Sequence, residues 1–167
     1  MALCGLAASQ HRLDGVLHVT YPHPASHEER QAALRCSARY AVPFYEIRIT
    51  LDATALGIGT GAEGARVVPH RNSILLSIGA HVAEQVEASE VWIGCTADDH
   101  ADYADCRPRF IHRMDNALAP IRVRAPFILL TRAKILELEF DVEGAWSCYQ
   151  PTEDGGQCGE CNSCKQQ

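Results

Sequence analysis

No hydrophobic run in this chain approaches the ~20 apolar residues that a helix needs to cross a bilayer, so no membrane span is expected. The opening "MALCGLAAS" is apolar only briefly and has no basic flank. Neither a secretory signal nor, with almost nothing upstream of Cys4, a lipoprotein leader is expected. Positive charge is also short. Fifteen Lys and Arg face 21 Asp and Glu for a net charge of −6, which argues against a surface that tracks nucleic-acid phosphates. Internal repeats and low-complexity tracts are absent. Nothing suggests an oxidising compartment, so a cytoplasmic location is expected. What remains is an ordinary globular composition, 47% apolar and 22% charged, of a length that suits one domain over residues 1–167.

Cysteine, by contrast, is concentrated. Cys148, Cys158, Cys161 and Cys164 form C-x9-C-x2-C-x2-C near the end of the chain. Two residues between thiolates let a tight turn aim both sulfurs at one point, which suits tetrahedral Zn²⁺ with Zn–S bonds of about 2.3 Å. Gly159 and the Gly155-Gly156 pair permit the backbone turns such knuckles need. The pattern lacks a second, separate C-x2-C, so it is not a standard zinc ribbon. It suits a structural zinc best, with disulfides or an iron–sulfur cluster as the alternatives. Cys36, Cys95 and Cys106 are scattered and read as reduced core thiols.

Between these ends, strand and helix patterns alternate. "GVLHVTYPH" is β-rich. Ser26 with Glu29 three residues on predicts a capping box, opening a helix whose inward stripe is Ala32, Ala33, Cys36 and Tyr40. "VPFYEIRIT" alternates as a strand. Asn72 or Ser73 is expected to cap a helix reaching about Ala88, with Leu75, Ile78, Gly79, Val82 and Val86 facing inward. "VWIGC" predicts a parallel strand buried on both faces. "RPRFIHRMDNAL" predicts a helix with Phe110, Ile111, Met114 and Leu118 on its stripe. "IRVRAPFILL" reads as extended and "TRAKILELEF" as helical. The expected class is α/β with a parallel sheet flanked by helices.

Three stretches invite a chemical reading. Gly59, Gly61 and Gly64 satisfy G-x-G-x-x-G, but Pro69 and its neighbours separate them from the next helix, so a plain loop is preferred to a dinucleotide fingerprint. "PHRN" (Pro69 to Asn72) lies where a helix begins. It is either an anion site using exposed amides and Arg71 or simply a cap with a surface charge. "GCTADDHADYADCRPRF" follows a strand, and ligands in open α/β sheets bind beyond strand carboxyl ends. Its carboxylates and His100 can hold a cation, read the N–H groups of a base or relay protons. The alternative is a solvated acidic loop with Asp105 capping the next helix.

Taken together, these residues resemble the 7-cyano-7-deazaguanine synthase family of queuosine and deazapurine biosynthesis. Pro69-His70-Arg71-Asn72 is similar to the family's P-G-R-N at a helix start. Gly94, Asp99, Tyr103, Asp105, Cys106, Arg107 and Phe110 match its G-(x4)-D-x3-Y-x-D-C-R-x2-F. Lys134 in "LTRAKI" corresponds to a helix Lys after a proline-bearing strand, and Cys148-Tyr149 with "CGECNSC" to the family's zinc cysteines. The resemblance implies a Rossmann-like, adenine nucleotide alpha hydrolase-like sheet with a zinc-binding segment at 146–167. It implies Asp99, Arg107 and Lys134 as catalytic groups, and Arg71, Asn72, Gly94, Tyr103 and Asp105 as nucleotide- or substrate-binding groups. Zn²⁺ would be held by Cys148, Cys158, Cys161 and Cys164. The implied reaction uses ATP with Mg²⁺ to activate 7-carboxy-7-deazaguanine. Ammonia then gives an amide, and a second activation with loss of water gives the nitrile. The implied partners are these small molecules and a second copy of the chain, with no direct nucleic-acid contact.

The departures from the family are also specific. His70 stands where the family usually has Gly, and "YPHPASHEE" replaces Y-G-Q-x-H, leaving His27 to take the family His position. Family members begin with a strand and S-G-G-x-D-S, a loop that cradles the ATP pyrophosphate. This chain contains no such sequence, and "MALCGLAAS" resembles the helix that follows it. The expectation is therefore a domain shortened at its N-terminus, whose turnover of ATP as written is impaired. A degenerate paralogue that binds a deazapurine or a partner protein is the alternative. A zinc-stabilised nucleic-acid module is disfavoured by the acidity.

Overall fold

A computed structural model describes residues 1–50 and 68–165, so the glycines at 59, 61 and 64 lie outside the described residues. The elements in chain order are α1 (Ala2–Ser9), β1 (Val16–Thr20), α2 (Ser26–Tyr40), β2 (Phe44–Arg48), α3 (Arg71–Gln85), β3 (Glu90–Trp92), α4 (Pro108–Ala117), β4 (Arg122–Arg124), α5 (Arg132–Leu136) and α6 (Asn162–Lys165). Two 3-10 turns, Ala97–Asp99 and Ala104–Cys106, lie between β3 and α4. The chain divides into two compact units: Met1 with Gln10–Pro69 and Asp141–Gln167, and Ala2–Ser9 with His70–Phe140.

The first unit is built on a β-α-β crossover. β1 and β2 pair in parallel from Val16 opposite Phe44 to Thr20 opposite Arg48, with α2 as the connection that parallel strands require. Glu46 on β2 accepts two bonds from the Arg30 guanidinium (3.1 and 3.0 Å) and one from the Thr20 hydroxyl (2.8 Å). These bonds tie α2 to both strands. Arg35 donates to the Gly144 carbonyl, and Arg39 pairs with Asp141 at 2.7 Å. The C-terminal segment is thereby fastened to α2.

The second unit repeats the parallel theme. β3 pairs with β4, Glu90 opposite Arg122 through Trp92 opposite Arg124, and α4 is the crossover. Pro108 stands at the first turn of α4, where its missing N–H costs nothing. Leu76, Cys95, Cys106, Ile111 and Val123 form the buried core, with Phe110, Met114 and Leu118 packed against it. The expected α4 stripe is therefore the face that packs. Gly79 lets α3 approach β3 closely, since a Cβ there would lie 2.9 Å from Val91 Cγ1.

Several local expectations are corrected. α2 begins at Ser26 itself, with Ala25 at the N-cap and no side-chain cap bond. Glu29 instead pairs with the His23 ring at 3.4 Å, and Ala25 is buried at the helix entrance. α3 is capped by His70 in the left-handed region (φ 56°), so Asn72 lies inside the first turn. Its buried face is Asn72, Leu76, Gly79, Ala80 and Ala83, so of the expected stripe Gly79 is buried while Leu75, Ile78, Val82 and Val86 are not. α3 is apolar on most sides, so periodicity could not choose a face. Close packing on β3 selects the small residues. β3 is parallel as expected, but its three residues are half-buried. Among the described residues the sheet is two separate two-stranded pairs, within an α/β chain. No helix among them is long and apolar enough to cross a membrane.

Candidate functional site

The loop after β3 is braced at both ends by side chains buried or half-buried beneath it. Asn72, only 4% exposed, is the central brace. Its Nδ2 donates to the Asp105 carbonyl at 3.0 Å and to Cys106 Sγ at 3.2 Å, and it lies 3.7 Å from Cys95 Sγ. Its backbone N–H donates to the Asp105 carboxylate at 3.1 Å. Asp105 thus caps α3, which precedes it in the chain. α4 is entered from Arg107 with no side-chain cap.

The other end is held by acids. Asp99 Oδ2 accepts from the Thr96 amide and hydroxyl, both at 2.9 Å, closing a capping box around the first 3-10 turn. Asp98 accepts from the Arg132 amide at 2.7 Å, and the Arg132 guanidinium lies 3.7 Å from Asp99. Arg107 closes the loop by donating to the His100 carbonyl (2.8 Å) and the Ala101 carbonyl (3.3 Å). Among the described residues, His100 Nε2 is buried without a hydrogen-bond partner. Beneath the loop, the Cys95 and Cys106 thiols lie against the same Asn72 amide, at 3.7 and 3.2 Å. The proximity of the two thiols draws Cys106 below its ordinary value, and together with burial it pushes Cys95 up.

The four-cysteine cluster is built within the first unit. The sulfurs of Cys148, Cys158, Cys161 and Cys164 all lie within 4.8 Å of one another. Cys148 and Cys158 are 3.5 Å apart, and Cys158 and Cys164 3.9 Å. Tetrahedral Zn–S bonds of about 2.3 Å put sulfurs about 3.8 Å apart, so the set fits one ion. Amides also converge on the sulfurs. Cys158 N–H donates to Cys148, and the Glu160 and Cys161 amides donate to Cys158. The turn they require places Gly159 at φ +72°, in the left-handed region. Burial raises the Cys161 thiol, but donors led by the Tyr149 amide outweigh it and bring the thiol down to about 6. Cys148 is wholly buried, and the Trp146 indole donates to its carbonyl at 2.8 Å.

Against known proteins, the family model described as "Queuosine biosynthesis protein QueC" matches residues 9–167. The chain belongs to this family. Its relatives include a 7-cyano-7-deazaguanine synthase of Marinobacter nauticus, 38% identical over 109 residues that cover 60% of this chain and 48% of the relative. One from Thermoplasma volcanium is 39% identical over 111 residues, covering 59% and 45%. A protein of Colwellia psychrerythraea with the name 7-cyano-7-deazaguanine synthase 2 is 39% identical over 107 residues, covering 59% and 48%. The chain spans about half the length of these relatives.

Within this QueC-family chain, the sequence-derived residues are distributed unevenly. Asn72, Asp99, Tyr103, Asp105 and Arg107 meet at the loop, where the Tyr103 amide donates to the Asp99 carbonyl at 3.0 Å. Gly94, two residues beyond β3, has open space where a side chain would project. Arg71 is exposed at the start of α3. A phosphate at the Asn72 amide would have to displace the Asp105 carboxylate, which is no place for an anion. Lys134 is exposed on α5 and its amide is capped by the Thr131 hydroxyl at 3.3 Å. The cation that reaches the loop is Arg132, two residues earlier. Asp98 was offered by the sequence only among the loop's carboxylates and Arg132 not at all, its one signal being Thr131 as an N-cap that orients the first turn of α5. A separate cavity of about 260 Å³, lined by Thr20, Tyr21, Pro22, Ser26, Arg48 and Ile49, lies at the carboxyl ends of β1 and β2.

Proposed function

We propose that this chain carries out, or forms part of a protein that carries out, ATP-dependent conversion of 7-carboxy-7-deazaguanine and ammonia to 7-cyano-7-deazaguanine. The observation that supports this best is the loop from Gly94 to Arg107, whose family-matched residues are gathered at the carboxyl end of a parallel strand. The chemistry requires activation, because a carboxylate resists attack by ammonia until its oxygen is made a leaving group. ATP supplies that activation when bound. The chain's own contribution is a loop held rigid by Asn72, Asp99, Arg107 and Arg132, so that its outward groups meet a flat heterocycle at low entropic cost. Asp99 and Asp105 are committed to internal donors, so ATP phosphates and Mg²⁺ are assigned no ligand among them. Zinc at the four cysteines is structural in this reading, since four thiolates leave no open position. The α/β units are those of a single adenine nucleotide alpha hydrolase-like domain.

The test is calorimetric titration of the zinc-loaded chain with 7-carboxy-7-deazaguanine and, separately, with ATP–Mg²⁺, followed by an assay for the nitrile by mass spectrometry. The parent should bind the deazapurine saturably. Arg107→Ala should weaken that binding by roughly tenfold or more, a scale set by loss of charge-assisted bonds. Absence of deazapurine binding by the folded parent overturns the proposal.

A further inference from the structure

Cys95 and Cys106 are not used by the chemistry above, and they are placed for a different one. Both belong to the core beneath the loop, and both lie against the same Asn72 Nδ2, at 3.7 and 3.2 Å. Their sulfurs can be no further apart than those two distances together span. They stand at the two ends of the loop, so a bond between them would close residues 96–105 into a ring. Both are buried, at 5% and 7% exposure. We infer that Cys95 and Cys106 form a reversible disulfide that locks the loop under peroxide.

The chemistry balances with hydrogen peroxide as the oxidant. The Cys106 thiolate attacks one peroxide oxygen and the O–O bond breaks. Cys106 becomes a sulfenic acid, and the departing hydroxide takes up the proton that Cys106 released, leaving as water. The Cys95 sulfur then attacks Cys106 sulfur as its proton passes to the departing oxygen. The S–O bond breaks and a second water leaves. Two thiols are oxidised by two electrons in total, and one peroxide is reduced to two waters. The geometry supports this order, because the Asn72 Nδ2 donor lies nearer Cys106, at 3.2 Å, than Cys95, at 3.7 Å. Asn72 assists by donating to Cys106, which steadies the thiolate. A single dithiol reductant reverses the bond by exchange.

The experiment treats the zinc-loaded full chain with stoichiometric hydrogen peroxide, blocks remaining thiols with an alkylating agent under denaturing conditions, and maps the peptides. The expected result is one cross-linked species joining the Cys95 and Cys106 peptides, restored to free thiols by dithiothreitol. Cys95→Ala should trap Cys106 as a sulfenic acid that a dimedone probe labels, while Asn72→Gln should slow the oxidation. The parent map decides the question even if a variant fails to fold. Cys95 and Cys106 both alkylated after peroxide treatment, or Cys106 carried to the sulfinic acid with Cys95 untouched, would overturn the inference.

Discussion

Replacing Asn72 tests the frame of the loop at one atom. In Asn72→Ala the Asp105 carbonyl loses its 3.0 Å donor, and the Cys106 and Cys95 sulfurs lose the same N–H₂ group. A half-buried carbonyl that loses this donor costs about 1–3 kcal/mol, and the lost thiol contacts and small cavity add about 1 kcal/mol more. Destabilisation of about 2–4 kcal/mol follows, which for a chain of this size lowers the thermal midpoint by roughly 5–15 °C. Asn72→Asp sharpens the test because it nearly conserves shape. It puts an oxygen where the donor was, facing a carbonyl oxygen and close to the Asp105 carboxylate, so it should destabilise more than alanine does. The assay is thermal unfolding at pH 7 on zinc-loaded protein, with amide hydrogen exchange read over α3 and residues 94–107. Exchange should accelerate there and remain unchanged in β1 and β2. An aspartate variant as stable as the parent refutes the assignment of Asn72 as the loop's buried donor.

Three further outcomes follow from other contacts. Purified chain should carry one zinc by elemental mass spectrometry, and Cys148→Ser, which alters a wholly buried ligand, should lose the metal and accelerate exchange over 146–165. Glu46 has its carboxyl held down to about 2 by the Arg30 and Thr20 bonds. A depressed carboxylate adds stability that is fully present above its ordinary 4.5 and is lost as pH falls toward 2. Acid unfolding of the parent should therefore steepen in that window, and Glu46→Gln, less stable at pH 7, should show a flatter profile. Gly79→Ala should destabilise by about 1 kcal/mol because its methyl meets the stiff Val91 side chain. In a Val91→Ala background the same change should instead stabilise by up to about 1 kcal/mol through helix propensity, measured as a urea midpoint in a double-mutant cycle.

Local patterns were legible because short-range geometry controls them. The α4 stripe of Phe110, Ile111, Met114 and Leu118 could be read from period alone, since polar residues leave it one apolar side. α3 could be read that way only at Gly79, because Ile74, Leu75, Leu76, Ile78 and Val82 surround it and the close approach of Val91 selects Leu76, Ala80 and Ala83 in place of Leu75, Ile78 and Val82. The capping box expected at Ser26 lost to a buried Ala25 and a His23–Glu29 pair, whose geometry depends on how the chain leaves β1.

At the four-cysteine cluster, the sequence by itself determined which residues come together. Cys158, Cys161 and Cys164 are close neighbours in the chain, and two-residue spacings leave their sulfurs few places to point. The loop's composition and family register were likewise present in the residues from Gly94 to Phe110. Only the tertiary structure decided how that loop is held. Asn72 meets Asp105 across 33 positions, and Arg132 meets Asp98 across 34. Those separations have no periodicity to betray them. They are set when α3, β3, α4 and β4 pack around one core, which turns Asp105 back onto the helix before it, and when the start of α5 brings Arg132 to Asp98 and Asp99.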